Sequence, residues 1–589
     1  MSSHPGFRHP PLLAAEELRR RLTPAVSAAE RDAADVAEEF PAAEVAVLDD
    51  YGLARHYVPA EYGGLLRDYE SAAALMRGVA GHDLTVAIAH GKTYLGSVCT
   101  WVAGTAEQAH RVAALVSAGV PVSWGLTERE HGSDLVAGEL TATADGNTFR
   151  LDGEKYLINN ATRGGLATVL ARTAPEGGPR GFDVFLVERS RLAEGTYTPL
   201  PKVATIGIRG ADISGFTLRA AQVDTTDRIG APGTGLETVL RALQLTRTLC
   251  SALSLGAGDH GLAEAVAFAG ERELYGRRLA ALPAAARTLT DCYADHLLNE
   301  ALATVAARAI HTMTGELAAL SVAVKYLVPV RTEALLARLR RLLGARAWLR
   351  DVRGGVIAQG TGRFQKIERD HRIVSLFDGN TVVNLNSLVS QFATLARGHR
   401  AVREPPPGLA VAADLAAPLP AVNYGALRLV PTRGIGLLHN LAPASAQLAE
   451  LAGADPLLGP VAAAVRRLTE RTETLLAEIG TQPIVPPDVP PYAFALARRL
   501  AAAVAAAAAV ALWLGSHRYF VDGTDEPGSA APLWRHGRWL LAVLDRVLGQ
   551  ESTVEDEVLD ETHAVLGTVL AGQVAAGAMP SLLSLGSVA

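Results

Sequence analysis

Residues 121–225 carry the short alternating pattern of β-strands, whereas the segments on both sides carry the spacing of amphipathic helices. Within this stretch the runs are rich in Thr, Val and Phe, and Asp145-Gly146 stands between two of them. Such a dipeptide between alternating runs predicts a tight hairpin. The order helix, sheet, helix, helix therefore predicts an α+β chain that is mainly α, with a small β domain in its middle.

The helical parts divide further along the chain. Apolar residues recur every three or four positions before residue 120 and again between 233 and 400. The segment AVREPPPGL then reads as a linker, and more helical segments follow it. We therefore predict an N-terminal helical domain (1–120), a middle β domain (121–225), a helical bundle (226–400) and an additional C-terminal helical domain (401–589).

Composition indicates a soluble globular protein. Hydrophobic residues make up 49% of the chain and the net charge is -6, which makes nucleic acid an unlikely partner. The N-terminus has no apolar region with a cleavage site, so we expect a cytoplasmic protein. The apolar run Leu500 to Leu514 is shorter than the roughly 20 residues that span a bilayer, which favours a buried core helix over membrane association. The excess of arginine over lysine and the abundant alanine indicate a GC-rich bacterial genome.

Several common sites can be excluded from the sequence. The three cysteines, Cys99, Cys250 and Cys292, form no CxxC pair and read as core residues in a reducing compartment. The GKT at 91–93 lacks the first glycine of a phosphate-binding loop. The histidines lack metal-ligand spacing, so we predict no metal site.

Four segments in a fixed order carry the functional signal. They are WGLTEREHGSD (124–134), LDGEKYLINNA with IGIRGADISGFTL (151–161 and 206–218), ERELYGRRL (271–279), and RDHRIVSLFDGNT (369–381). Together they resemble the acyl-CoA dehydrogenase family over residues 30 to 400. The resemblance implies N-terminal helices, a middle β-barrel-like domain and a C-terminal four-helix bundle, assembled around FAD.

The resemblance also implies where FAD would bind. Ser133 matches a serine near both the substrate and the flavin pyrophosphate, and Arg272 and Tyr275 match residues that reach the FAD of a neighbouring subunit, as an arginine-phosphate contact would. Gly379 would contribute to substrate binding. The other positions that match cofactor-binding residues of the family are Trp124, Leu126, Thr127, Ile158, Asn159, Gly344 and Asn380.

Asp378 stands where the family has its catalytic glutamate. The family abstracts an α-proton from an acyl thioester on CoA or an acyl carrier protein, while the β-hydrogen leaves as hydride to flavin N5. Arg247 matches a helix arginine close to the catalytic centre. Some members carry the base on that helix, at the position held here by Thr246, which cannot act as a base. Asp378 is therefore the candidate base, with Phe377 and Leu376 as apolar neighbours that would raise its basicity.

Departures from the family pattern leave alternatives open. Aspartate is one methylene shorter than glutamate, which withdraws the carboxylate by about 1.5 Å. The segment 351–363 is also longer than the usual connection and could reshape the pocket. The alternatives are a flavin monooxygenase or oxidase on the same fold, and a catalytically impaired binding or assembly relative.

The region after residue 400 resembles the C-terminal extension of very-long-chain family members in size and helicity. In those relatives the extension contacts the bundle in place of a second dimer, so we expect a homodimer. The resemblance implies an electron-transferring flavoprotein or another acceptor as the partner, and a place in fatty acid or polyketide metabolism.

Overall fold

The computed structural model describes residues 8–349, 363–402, 404–482, 488–521, 523, 525–526 and 528–584. The long segment 351–363 thus lies outside the described residues except for Arg363. The chain forms two compact units. The sheet unit contains Leu18–Arg67 and Asp83–Thr246, and the bundle unit contains Met1–Glu17, Asp68–His82 and Arg247–Ala589. The four domain ranges predicted from sequence stay a prediction.

The helices that precede the sheet are α1 (Pro10–Leu22), α2 (Ala28–Ala37), α3 (Ala42–Tyr51), α4 (Tyr69–His82), α5 (Leu84–Ala103) and α6 (Ala106–Ser117). Two of them begin with reciprocal capping boxes, Ser27 with Glu30 at α2 and Thr105 with Gln108 at α6. The GKT tripeptide lies inside α5, which is buried along most of its length. Its backbone N–H groups are helical, so the phosphate-loop interpretation is correctly excluded.

An eight-stranded sheet forms the centre of the sheet unit. Its strands are β1 (Val122–Gly125), β2 (Thr141–Asp145), β3 (Thr148–Asn159), β4 (Leu166–Arg172), β5 (Phe182–Glu188), β6 (Tyr197–Leu200), β7 (Ile213–Asp224) and β8 (Arg228–Ile229). They run in the order β6-β7-β3-β2-β4-β5-β8, and β1 pairs with β4. The predicted hairpin is confirmed, because Asp145 pairs with Thr148 and Gly146 takes a φ of 60°.

The long antiparallel pair β3 and β7 is interrupted by two register shifts. One lies between Tyr156 and Ile158, where Leu157 takes a φ of 56° and points its side chain outward with 48% exposure. A bulge re-aims the residues that follow it. Inward-facing residues such as Phe149, Phe185 and Phe216 fill the core on one face of the sheet.

The remaining helices are α7 (Gly235–Leu249), α8 (Ser251–Glu271), α9 (Pro283–Thr312), α10 (Leu317–Leu343), α11 (Phe364–His371), α12 (Thr381–Val389), α13 (Phe392–Ala401), α14 (Pro407–Ala413), α15 (Gly436–His439), α16 (Leu441–Ala454), α17 (Gly459–Gly480), α18 (Pro491–Ser516), α19 (Ala531–Trp534), α20 (Arg538–Leu548) and α21 (Asp556–Ala575). A two-stranded hairpin, β9 (Glu273–Leu274) and β10 (Arg277–Arg278), follows α8.

In the bundle unit, α8, α9 and α10 pack on one another and α12 packs on α10. The extra C-terminal helices are attached to this bundle, because α18 contacts α9, α10 and α12. The stretch Pro491–Tyr519 is long and apolar enough to cross a membrane by composition, but 78% of its most apolar window is buried. That is the environment of a core helix, as the sequence predicted.

Candidate functional site

The turn that carries Asp378 joins α11 and its following 3-10 turn to helix α12. Asp378 has a φ of 56° and Gly379 a φ of 97°, so two consecutive residues occupy the left-handed region. Aspartate is among the side chains that tolerate this region. Asn380 then caps α12 by accepting from the Val383 N–H at 2.9 Å. The amide of Asn384 donates to the Gly379 carbonyl at 2.8 Å, which fixes the turn from within.

Arg247 holds this turn from helix α7. Its Nε donates to the backbone carbonyl oxygen of Asp378 at 2.9 Å. A Cβ placed on Gly379 would come within 2.9 Å of the Arg247 Nη2, so the guanidinium packs directly on the turn. Burial lowers the pKa of Arg247 to about 10, against the influence of the nearby Asp378 carboxylate. The group stays cationic at neutral pH and brings positive charge beside the candidate base.

Cys250 is a contact of Asp378 that the sequence analysis missed. It lies between α7 and α8, is 2% exposed, and its Sγ donates to Oδ2 of Asp378 at 3.5 Å. The spacing of three residues from Arg247 placed it one helical turn away, which was the only available signal. Thr246 instead donates its hydroxyl to the Leu243 carbonyl of its own helix at 3.4 Å.

The apolar surroundings expected around Asp378 involve two neighbours. Leu376 is 57% exposed in this chain, and its contribution to the pocket of the carboxylate stays a prediction. Phe377 is partly buried and lies beneath the ammonium of Lys325, 4.8 Å from Nζ to the ring centroid. Lys325 is itself buried and donates to the Val374 carbonyl. Lys325 is thus the second basic side chain, after Arg247, that lies beside the turn of Asp378.

Three further predicted cofactor residues lie in the bundle unit, two at helix ends and one in a hairpin. Arg272 caps the C-terminus of α8 and is exposed, and it makes no ion pair within the described residues. Tyr275 takes a φ of 54° at the tip of the β9-β10 hairpin and is 92% exposed, so it is not a core residue. Gly344 ends α10 with a φ of 61°.

In the sheet unit, Trp124 lies in strand β1, but Leu126 and Thr127 lie just beyond its end at Gly125. The extension is nevertheless held beside β3, because the Tyr156 N–H donates to the Thr127 carbonyl at 2.9 Å. Lys155 Nζ donates to the Leu126 carbonyl at 3.2 Å.

A buried ion pair anchors the same segment and was not predicted. Lys155 Nζ lies 2.7 Å from Oε1 of Glu128, and both residues are buried. Burial lowers the pKa of Lys155, whereas Lys155 and the N–H groups of Glu139 and Leu140 outweigh burial and lower that of Glu128. The 2.7 Å contact between Lys155 and Glu128 therefore fixes the segment after β1 against β3.

Ile158 and Asn159 form the end of strand β3. The Ile158 side chain is 2% exposed and packs in the sheet's core, and its role at the cofactor stays a prediction. The Oδ1 of Asn159 is buried and has no hydrogen-bond partner within the described residues. Its Nδ2 makes only a long contact of 3.4 Å to the Ile88 carbonyl. Ser133 is exposed in the loop between β1 and β2.

A cavity of about 420 Å³ also lies in the sheet unit, between α3, α5 and the loops at 119–121 and 160–163. His90 and Thr93 line it from α5, and Asp49 and Arg163 line it with opposite charges. None of the predicted site residues lines this cavity.

The described residues fit an FAD cofactor in three respects. Arg272 offers an exposed guanidinium that is not engaged by a carboxylate, which suits a pyrophosphate. Asn159 offers a buried side-chain oxygen, Oδ1, that has no hydrogen-bond partner among the described residues. Ser133 offers an exposed hydroxyl. No group of three His, Cys, Asp or Glu side chains in the described part of the chain could hold a metal ion.

Comparison with known proteins agrees with this arrangement. The family models for the acyl-CoA dehydrogenase N-terminal, middle and C-terminal domains match residues 13–119, 123–221 and 233–392. The probable acyl-CoA dehydrogenase FadE25 of Mycobacterium tuberculosis is 30% identical over 262 residues, covering 44% of this chain and 67% of the relative.

Two solved structures share the fold. The glutaryl-coenzyme A dehydrogenase glutaryl-CoA complex superposes with a TM-score of 0.58 and 21% identity, covering 66% of this chain and 95% of that one. The structure of the prolyl acyl carrier protein oxidase AnaB superposes with a TM-score of 0.59 and 18% identity, covering 65% of this chain and 99% of that one. The matched domains and the aligned relative show that this chain belongs to the acyl-CoA dehydrogenase family of FAD-dependent oxidoreductases, with an extra C-terminal helical region.

Proposed function

We propose that this protein introduces an α,β double bond into an acyl thioester, with Asp378 as the base that removes the α-proton. The observation that carries the proposal is the position of Asp378 in a turn fixed by Arg247, whose Nε binds its carbonyl oxygen at 2.9 Å. A carboxylate held on a rigid turn can meet a substrate C–H in one defined geometry.

The chain's own residues account for the proton side of the reaction. The α-carbon loses its proton to a carboxylate oxygen of Asp378, and the electron pair left on that carbon becomes the new double bond. FAD, when bound, accepts the β-hydrogen with its electron pair. The negative charge that develops on the thioester carbonyl is stabilised by hydrogen-bond donors and by the positive charge of Arg247.

Asp378 is one methylene shorter than the family's glutamate, so its carboxylate reaches about 1.5 Å less far from the backbone. A misplacement of about 1 Å can cost on the order of 10²-fold in rate. We propose that the substrate's α-carbon lies closer to the turn than in glutamate-bearing relatives. The left-handed backbone at Asp378 and Gly379 would direct the shorter side chain toward it.

The oxidase alternative has one supporting observation, the shared fold with a structure described as a prolyl acyl carrier protein oxidase. Retention of a carboxylate at 378 favours proton abstraction over oxygen activation, because a flavin monooxygenase needs no such base. We also propose a cytoplasmic homodimer, acting on substrates carried by CoA or an acyl carrier protein. An electron-transferring flavoprotein or another acceptor would reoxidise it.

Anaerobic titration of the purified flavoprotein with acyl-CoA and acyl carrier protein thioesters tests the proposal. Bleaching of the oxidised flavin spectrum by a thioester is expected for the wild type. Asp378→Asn should abolish bleaching with FAD still bound, because asparagine tolerates the same backbone conformation but cannot accept the proton. Asp560→Asn, at an exposed carboxylate, is the matched control.

Other outcomes separate the alternatives. Flavin that is reduced only by an external reductant and then reacts with oxygen would favour the monooxygenase. A protein that binds no flavin would be the impaired relative. Bleaching that survives in Asp378→Asn would show that another group is the base.

A further inference from the structure

The thiol of Cys250 is directed at the carboxylate of Asp378. Its Sγ lies 3.5 Å from Oδ2, and an ionised carboxylate can only accept, so the thiol is the donor. Cys250 is 2% exposed, which excludes bulk water as a competing partner for the thiol. The contact therefore joins a buried thiol donor to one oxygen of the partly buried Asp378 side chain.

The neighbouring hydroxyls do not share this role. Ser251 donates to the Thr248 carbonyl at 2.6 Å, and Thr246 donates to the Leu243 carbonyl at 3.4 Å. Both therefore satisfy backbone groups of their own helical segments. Cys250 instead lies between α7 and α8, with helical backbone angles, and its side chain reaches the turn that carries Asp378.

Arg247 and Cys250 hold different parts of the same residue. Arg247 binds the backbone carbonyl of Asp378, whereas Cys250 binds one oxygen of its side chain. An aspartate has two side-chain torsions, so one anchor on Oδ2 is enough to fix the direction of the other oxygen. A glutamate, with a third torsion, would not be fixed in this way.

We infer that Cys250 is a positioning residue that orients the Asp378 carboxylate and stabilises its ionised form, an inference that rests on the proposed function. A hydrogen bond to the charged form of an acid favours that form. The charged or titratable groups nearest the turn are Arg247 on α7, Lys325 and Glu333 on α10, and Cys250 itself. All but Cys250 are unchanged in the variants described next.

Cys250→Ala removes the donor, whereas Cys250→Ser keeps a donor at the same position. In anaerobic flavin reduction by a thioester, Cys250→Ala should move the acid limb of the pH profile to higher pH. Below that limb the variant should be about tenfold slower, an effect on the order expected for the loss of one hydrogen bond. The maximal rate should fall with the substrate's half-saturation unchanged, and Cys250→Ser should restore the wild-type limb.

A purely structural role predicts something else. Equal losses in Cys250→Ala and Cys250→Ser, or an acid limb that stays in place in Cys250→Ala, would overturn the inference. Retention of bound FAD and of the thermal midpoint in both variants checks that the fold is intact.

A second measurement does not depend on activity. The S–H stretching band that is lost in Cys250→Ser identifies the thiol in the infrared spectrum. That band should move to higher wavenumber in Asp378→Asn, because an amide oxygen is a weaker acceptor than a carboxylate. A band that does not move would refute the contact. If no thioester reduced the wild-type flavin while the band did move, the proposed function would fail and the contact would stand.

Discussion

Arg247 binds Asp378 through the backbone and not through the carboxylate: Nε lies 2.9 Å from the carbonyl oxygen. The guanidinium is buried and fills the space above Gly379. The side chain of the candidate base thus stays available to a substrate, while the peptide that carries it is fixed. Changes at Arg247 or Gly379 should therefore displace Asp378 without removing its carboxylate.

Arg247→Lys should slow anaerobic flavin reduction by about 10²-fold. Lysine keeps the charge but loses the planar guanidinium that reaches the Asp378 carbonyl, and a shift of about 1 Å in a catalytic group has an effect of this order. Stopped-flow measurement of the first reduction step would show it. Arg241→Lys is the control, because Arg241 lies on the same helix and pairs with Glu237 at the surface. Equal slowing in both variants would contradict the prediction.

Gly379→Ala should lower both stability and the rate of flavin reduction. The left-handed backbone costs a residue with a side chain roughly 1–2 kcal/mol, and the new Cβ would push on Arg247. Gly549→Ala is matched to it, since Gly549 has a φ of 57° and no atom within 4 Å of an added Cβ. Thermal unfolding should shift in both variants. If Gly549→Ala also slowed flavin reduction, the effect of Gly379→Ala could not be attributed to the contact between Gly379 and Arg247.

Stability should decline with rising pH because of Glu316. Burial raises the pKa of this carboxyl to about 7, although the Gly436 N–H, at 2.7 Å, opposes the shift. The folded state therefore binds the proton more tightly than the unfolded state. The stability gained below the ordinary pKa is lost as pH rises through 7, on the order of 2–3 kcal/mol.

Urea unfolding at pH 5 and pH 8 measures this difference. Glu316→Gln should remove most of the decline, because a neutral amide occupies the site at both pH values. Glu450→Gln, at an exposed position on α16, should leave the decline as it is in the wild type. If the stability of Glu316→Gln still declined between pH 5 and pH 8, another titrating group would be the cause.

Ser581→Ala should destabilise the protein by roughly 1–3 kcal/mol, the range for a hydrogen bond to a charged group. Its hydroxyl donates to Oε1 of Glu300 at 2.5 Å, and the Leu582 N–H donates to Oε2 at 2.7 Å. Arg77 pairs with the same carboxylate at 2.5 Å, so the C-terminal segment is tied to a buried charge in the bundle. Chemical unfolding would measure the loss. Ser117→Ala, at an exposed helix end, should change stability little.

The sequence by itself determined the order of helices and strands, the Asp145-Gly146 hairpin and the family. Each of these depends on residues that are close along the chain or on motifs with fixed spacing. The fourth motif contains Asp378 and the resemblance identified Arg247, and the structure brings the two into contact although they are 131 positions apart. The resemblance supplied that pairing, since no local pattern could.

Only the tertiary structure decided which side chains complete the site. Cys250 meets Asp378 across 128 positions, Lys155 meets Glu128 across 27, and Ser581 meets Glu300 across 281. The exposure of Leu376 and the place of Ile158 in the sheet's core were likewise decided by packing. Local sequence fixes which backbone a segment prefers, whereas the partners of a buried polar group depend on which distant elements the fold places beside it.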